Sequence, residues 1–191
     1  RSPVLSLLVV AVAPLTIATY IWSVKGHFRS PSMPQGAKLI STLVILGGFF
    51  LAWLTLAGQQ PVAASLVGLA LQLGSNVLFW LAIRETREAR LLAAFTTENP
   101  HCIVTTGPYR HIRHPFYTSY LTFWTGWSIA TWSPWSLVVL SGLAVAYWRA
   151  AVEEEQKFAA SEHAEAYAAY CATTGRFLPR LFLRRATVPP A

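Results

Sequence analysis

"TTGPYRHIRHPFYTSYL", residues 105–121, is the turning point of this sequence. Its first half packs Arg110, His111, Arg113 and His114 into five positions. Its second half, from Pro115 onward, is apolar and aromatic. Proline suits the first turn of a helix, where its missing N–H costs nothing. A helix is therefore predicted to begin at Pro115, directly against a basic, histidine-rich loop. The N-terminal end of such a helix carries partial positive charge and unpaired N–H groups, a setting that favours anions.

The residues on either side are unusually apolar. Of the 191 residues, 54% are hydrophobic and only 12% are charged, against about 25% charged in a soluble domain. A run of about 20 apolar residues spans a bilayer core. Five candidate spans can be read: Pro3 to Val24, Leu39 to Ala57, Val62 to Ile83, Pro115 to Thr131 and Pro134 to Trp148. The last two are short and are joined by the tight "WSPW", so they read as one helical hairpin. In lipid every backbone polar group must be satisfied internally, which selects helices over open strands. The fold class predicted is all-α, a polytopic integral membrane protein of about five transmembrane helices. The first run lacks a basic n-region and a small-residue cleavage site, so it reads as a span rather than a signal peptide.

The basic residues predict orientation. Lys25, Arg29 and Lys38 lie between the first two spans, and Arg84, Arg87, Arg90, Arg110 and Arg113 between the third and fourth. Arg149, Lys157, Arg176, Arg180, Arg184 and Arg185 close the chain. The intervening turns "AGQQPVA" and "TWSPW" carry no basic residue. By the positive-inside rule, the C-terminus and both long loops are cytoplasmic and the N-terminus is outside. The net charge of +7 is accounted for by basic flanks facing anionic lipid, so no nucleic-acid partner is expected; membrane lipids are. Cys102 and Cys171 fall on the reducing side, where a disulfide is not expected.

Composition also divides the chain. Residues 1–83 form three nearly uncharged spans. Residues 84–191 hold all eight acidic residues, every one a glutamate, and most of the Arg and His. Chemistry is expected in this second part, built from the cytosolic loop, the hairpin and a C-terminal amphipathic helix. In the first part Gln72 and Asn76 share a helix face and read as interhelical hydrogen-bonding residues. Gly47, Gly48, Gly68 and Gly74 read as close-packing points.

The end of the fifth span reads "WRAAVEEEQKF". Arg149 and Glu153 are four apart and able to pair. The hairpin should bring the Glu153–Glu155 run to the "RHPFY" end. A cationic and an acidic cluster would then meet at the membrane surface. A ligand with both a carboxylate and an ammonium suits such a site, and S-adenosylmethionine has both. His101, Cys102, His111 and His114 match no closed zinc pattern, so no metal is expected. The helix "EEEQKFAASEHAEAYAAY" is expected to lie along the surface, with Tyr167 and Tyr170 packing it down.

"HCIVTTGPYRHIRHPFYTSYL", "WRAAVEEEQKF" and "EAYAAYCATTGRFLP", in that order, resemble the C-terminal half of the isoprenylcysteine carboxyl methyltransferase family, which is related to the phospholipid N-methyltransferases. The resemblance covers roughly residues 99–180. It implies an integral membrane, S-adenosylmethionine-dependent methyltransferase without a dinucleotide-binding domain. It implies cofactor contacts from His101, Ile103, Val104, Tyr109, His114, Pro115, Tyr117 and Glu154 or Glu155. Arg149 is the nearest candidate for orienting the methyl acceptor. The expected acceptor is lipophilic, with the α-carboxylate of an isoprenylcysteine-like substrate first. Such a carboxylate is already ionised near neutral pH. An ethanolamine phospholipid is the rival; its amine must lose a proton, and Glu153 or His111 is then the candidate base. A thiol acceptor and a non-enzymatic lipid-binding scaffold are the further alternatives.

Overall fold

The computed structural model describes residues 2–26, 35–87 and 102–180. The helices are α1 (Pro3–Gly26), α2 (Gln35–Ala57), α3 (Val62–Thr86), α4 (Pro115–Thr131), α5 (Ser136–Ala159) and α6 (Ala164–Thr173). A short 3-10 turn, Gly107–Arg110, precedes α4. Among the described residues there is no strand, only one isolated parallel bridge between Ile112 and Gly175. The molecule is an all-α, polytopic membrane protein. The expected juxtamembrane turn after α3 is described only as far as Arg87; residues 88–101, including His101, lie outside the described residues.

Four helices, α1, α2, α3 and α5, are long and apolar enough to cross a membrane. The fifth expected span, α4, has 17 residues, or about 25 Å at about 1.5 Å per residue. It is the inner helix rather than a lipid-facing one. Phe123, Trp124, Trp127, Ser119 and Ala130 on several of its faces are buried, as expected of a helix apolar all round. It packs chiefly on α3 and also touches α1, α2 and α5.

The α3–α4 contact depends on two glycines. A Cβ added at Gly68 would lie 2.5 Å from the Gly126 carbonyl oxygen, and one at Gly126 would lie 2.7 Å from that of Gly68. Small residues let membrane helices approach this closely. Of the four glycines expected at packing points, Gly68 serves so. A Cβ at Gly47 would press on the Val139 side chain, and Gly48 has ordinary contacts. Gly74 has nothing within 4 Å and is not a packing point.

Hydrogen bonds join α1 to α3: Asn76 Nδ2 donates to Thr16 Oγ1 at 2.8 Å, and the Tyr20 and Ser75 hydroxyls lie 3.3 Å apart. Gln72, expected to act with Asn76, is fully buried, and neither side-chain amide atom has a hydrogen-bond partner among the described residues.

The α5 helix is longer than the expected span. It runs past Trp148 through all three glutamates to Ala159. Ala, Val, Glu, Gln and Lys are compatible with a helix and no Gly or Pro intervenes, so nothing stops it at the membrane boundary. The break comes at Ala160–His163 instead, where Ser161 Oγ accepts from the His163 N–H at 3.2 Å. The acidic run therefore belongs to α5, and the C-terminal helix α6 is a separate ten-residue element.

Replacing Gly126 by valine should force α3 and α4 apart. Overpacking of this kind costs about 1–3 kcal/mol. A thermal melt in detergent should show a clear loss for Gly126→Val and none for Gly74→Ala; equal melting temperatures would refute the close-packed crossing.

Candidate functional site

Three segments meet at one end of the bundle: the approach to α4, the last turns of α5 and the stretch after α6. Backbone hydrogen bonds align the first with the third. Arg113 N–H donates to Gly175 O at 2.8 Å, Gly175 N–H to His111 O at 3.0 Å and His114 N–H to Arg176 O at 3.1 Å. Thr118 Oγ1 adds a bond to Phe177 O at 2.9 Å. The α6 helix is tied down by Tyr170, whose hydroxyl donates to Tyr109 O at 2.7 Å, and by Tyr167 stacked on Phe158 with centroids 4.4 Å apart.

Helix periodicity selects which α5 residues face this seam. Tyr147, Ala150, Ala151, Glu154 and Glu155 follow the i, i+3, i+4, i+7, i+8 pattern of one face. The first three are buried. Arg149 and Glu153 are exposed on the other side. No ion pair joins them, and neither side chain has an ion-pair or hydrogen-bond partner among the described residues.

Glu155 is the hub. Its Oε1 accepts from Arg113 Nε at 3.0 Å and Arg176 Nε at 3.1 Å, and lies 3.1 Å from His114 Nε2. Its Oε2 accepts from Arg176 Nη2 at 2.6 Å. Arg113 is turned inward, only 9% exposed, and its Nη1 donates to the carbonyls of Thr174 at 2.5 Å and Cys171 at 3.4 Å. Glu154 is held differently. Its Oε1 accepts from the Tyr117 hydroxyl at 2.6 Å and its Oε2 lies 3.4 Å from His114 Nδ1. At 28% exposure it keeps lone pairs open to a ligand.

His114 thus stands between two carboxylates, one at each ring nitrogen. Only the imidazolium can donate from both nitrogens. Burial alone would lower the pKa of His114, but hydrogen bonds to Glu154 and Glu155 and their charges outweigh it and hold the pKa above the ordinary 6.5. Beneath Glu154 lies a set of tyrosine rings. Tyr117 stacks on Tyr147 at 5.6 Å, Tyr147 meets Tyr120 at 5.5 Å and Tyr120 meets Tyr20 at 4.4 Å.

The site therefore gathers His114, Pro115, Tyr117, Glu154 and Glu155 from the residues expected in sequence. Tyr109 is buried beside them and Val104 packs on the core, while Ile103 is half-buried in the irregular segment before the 3-10 turn. Arg149 and Glu153 are not brought in, and His101 lies outside the described residues. Arg113, Arg176, Tyr120 and Tyr147 were not among the expected site residues. The helical spacing back from Glu154 and Glu155 to Tyr147 was a usable signal. Arg176 offered none, because its partner lies 21 residues away.

A family model described as phospholipid methyltransferase matches residues 63–166, more than half of the chain, from the start of α3 into α6. The chain belongs to the phospholipid methyltransferase family, and the resemblance drawn from its loop and glutamate motifs holds at that level. No curated protein and no solved structure matches it.

Removing the Glu155 carboxylate leaves Arg113 buried without a counter-charge, a loss of about 3–5 kcal/mol. Glu155→Ala should melt far below the parent protein, and Arg149→Ala should melt with it. Because the His114 pKa is raised on folding, its stabilisation is complete below 6.5 and fades as pH climbs through the raised value. The stability gap between the parent and His114→Gln should therefore be wide at pH 6 and narrow at pH 9. A gap that widens with pH would contradict the charged bridge.

Proposed function

We propose that this membrane methyltransferase uses S-adenosylmethionine to methylate the amine headgroup of a phospholipid at the cytoplasmic face. The observation that carries the reading is the unequal state of the two glutamates. Glu155 is matched by Arg113, Arg176 and His114, whereas Glu154 is part-exposed with only a tyrosine hydroxyl and a shared imidazole. The residues present fit the cofactor. Glu154 can accept its ammonium, the start of α4 favours its carboxylate, and the Tyr117 and Tyr147 rings suit its sulfonium. Ile103 and Val104 offer half-buried apolar surface to the adenosyl part.

When bound, S-adenosylmethionine would supply a sulfonium-borne methyl group to the acceptor's lone pair, with S-adenosylhomocysteine as the leaving group. The chain's own residues orient and exclude water. His114 fixes the two carboxylates relative to each other, Tyr117 fixes the Glu154 rotamer through its 2.6 Å bond, and the buried tyrosines keep the reacting centre dry. Orientation and desolvation of this kind supply the rate.

Two points favour an amine over an isoprenylcysteine carboxylate. Arg149, the residue expected to clamp a carboxylate, is exposed and off the seam face. The family match also carries the phospholipid description. His111 and Glu153, the expected bases for an amine, are exposed as well, and on this reading the acceptor loses its proton to bulk water before attack.

The reaction should therefore quicken as pH rises from 7 toward the acceptor's own pKa. A carboxylate acceptor, already ionised, would give a flat profile over that range. The measurement is methyl transfer to phosphatidylethanolamine and to a farnesylated cysteine, side by side, across pH 6 to 9. Calorimetry with S-adenosylhomocysteine should show Glu154→Gln weakening binding about tenfold or more, the scale of a lost charge-assisted hydrogen bond. Unchanged binding in Glu154→Gln would remove the cofactor assignment, and transfer to the farnesylated cysteine alone would remove the amine.

A further inference from the structure

The cations of the seam are not equivalent, and the difference points to a second subsite. Arg113 is 9% exposed, and its Nε and Nη1 are committed to Glu155 and two backbone carbonyls. Arg176 is 25% exposed. Its Nε and one Nη2 hydrogen go to Glu155, and among the described residues its Nη1 has no hydrogen-bond partner. A guanidinium carries five N–H donors in one plane, so Arg176 retains a donor edge.

The position of that edge is set by packing. The Arg176 guanidinium lies over the Trp148 ring, 4.5 Å from its centroid. Phe177 wedges in beside it, 6.0 Å from Trp148 and 6.0 Å from His114. Trp148 is the last residue of the apolar part of α5, is 52% exposed and is followed by Arg149. Tryptophan favours the membrane–water interface. Trp148 therefore holds Arg176 at headgroup depth. The same guanidinium is bonded to Glu155, which shares His114 with Glu154, so it belongs to the same side-chain cluster as the proposed cofactor contact.

We propose that Arg176, braced by Trp148, is the contact for the phosphodiester of the lipid acceptor and positions its amine toward the Tyr117 and Tyr147 rings, where the sulfonium is assigned. The proposal rests on the phospholipid reading above. An arginine fork matches a phosphodiester better than a point charge does, because two oxygens can be met at once. Cation–π stacking leaves the guanidinium edge free for this purpose. The donor's carboxylate is the other oxyanion the edge could meet, so the test must tell the two apart.

The experiment measures methyl transfer to dihexanoyl phosphatidylethanolamine and to dodecylamine, an amphiphilic amine with no phosphate, together with S-adenosylhomocysteine affinity. It compares the parent protein, Arg176→Gln and Arg176→Lys. Arg176→Gln should raise KM for the phospholipid about tenfold or more, with a much smaller loss in S-adenosylhomocysteine affinity and in dodecylamine transfer from the Glu155 bonds it gives up. Arg176→Lys should fall between, since it keeps charge but loses the fork. It also carries the test if Arg176→Gln shows no cooperative thermal melt and is therefore misfolded. Equal losses with both acceptors in Arg176→Lys would make the residue merely structural, and a loss in S-adenosylhomocysteine affinity with an unchanged phospholipid KM would assign it to the donor. Either result overturns the proposal while the parent's activity stands. A parent protein that binds S-adenosylhomocysteine but never methylates the phospholipid fails the phospholipid reading itself, and this assignment with it.

Discussion

A half-buried carboxylate is tolerated only when its lone pairs are filled, and Glu155 fills its own from three directions. Arg113 comes from the approach to α4, His114 from the residue before its first turn, and Arg176 from the stretch after α6. These partners are 42, 41 and 21 residues away in the chain. One side chain thereby ties the end of α5 to two segments that backbone hydrogen bonds already align with each other. The single parallel bridge at Ile112 and Gly175 is consistent with the same constraint, since it lies beside Arg113 and Arg176. The half-open state of Glu154 depends on it too, because His114 is held by both carboxylates.

Hairpin geometry explains why the hub forms at this end. The α4 helix starts at Pro115 and runs to a tight turn, and α5 returns from that turn. Both rise by about 1.5 Å per residue, so the start of α4 lies about level with residue 152 of α5. The next turn of α5 carries the glutamates. A longer α4 would lift His114 above them, and an α5 ending at Trp148 would leave the approach to α4 with no acidic partner. The shortness of α4 and the overrun of α5 are thus two sides of one register. The Gly68–Gly126 contact sets where α4 sits against α3 and so anchors that register inside the bilayer.

Much of this was legible from local pattern. The α4 boundaries follow from Pro115 and the apolar run behind it, and α1, α2 and α3 follow from hydropathy. The joining of the "RHPFY" and glutamate segments follows from reading a hairpin. What escaped were properties that depend on helical phase and on distant partners. The change from apolar to charged residues after Trp148 marks only the edge of the membrane and not the end of α5, which continues to Ala159. Gly126 was overlooked because its role depends on Gly68 facing it. Arg113 reads in sequence as part of an anion-favouring helix start, whereas the fold pairs it with Glu155; Arg176 reads as one more basic residue near a membrane, and only the fold separates it from Arg180.

The run Glu153–Glu155 shows why composition at a site underdetermines chemistry. Three identical side chains stand in a row, each about 100° around the helix from the next. That rotation sends Glu153 to solvent, Glu154 to the rim of the tyrosine cluster and Glu155 into the cationic seam. One is then a solvated charge, one a ligand-accessible acceptor and one a structural anchor. The assignment follows from phase rather than from residue type, and it is internally forced. If α5 were turned to put Glu154 where Glu155 stands, Tyr147, seven residues back and nearly in phase with Glu154, would swing away from Tyr117, and the buried ring stack between them would be lost. The packing of uncharged residues two turns below therefore decides which of the three acids can meet a ligand.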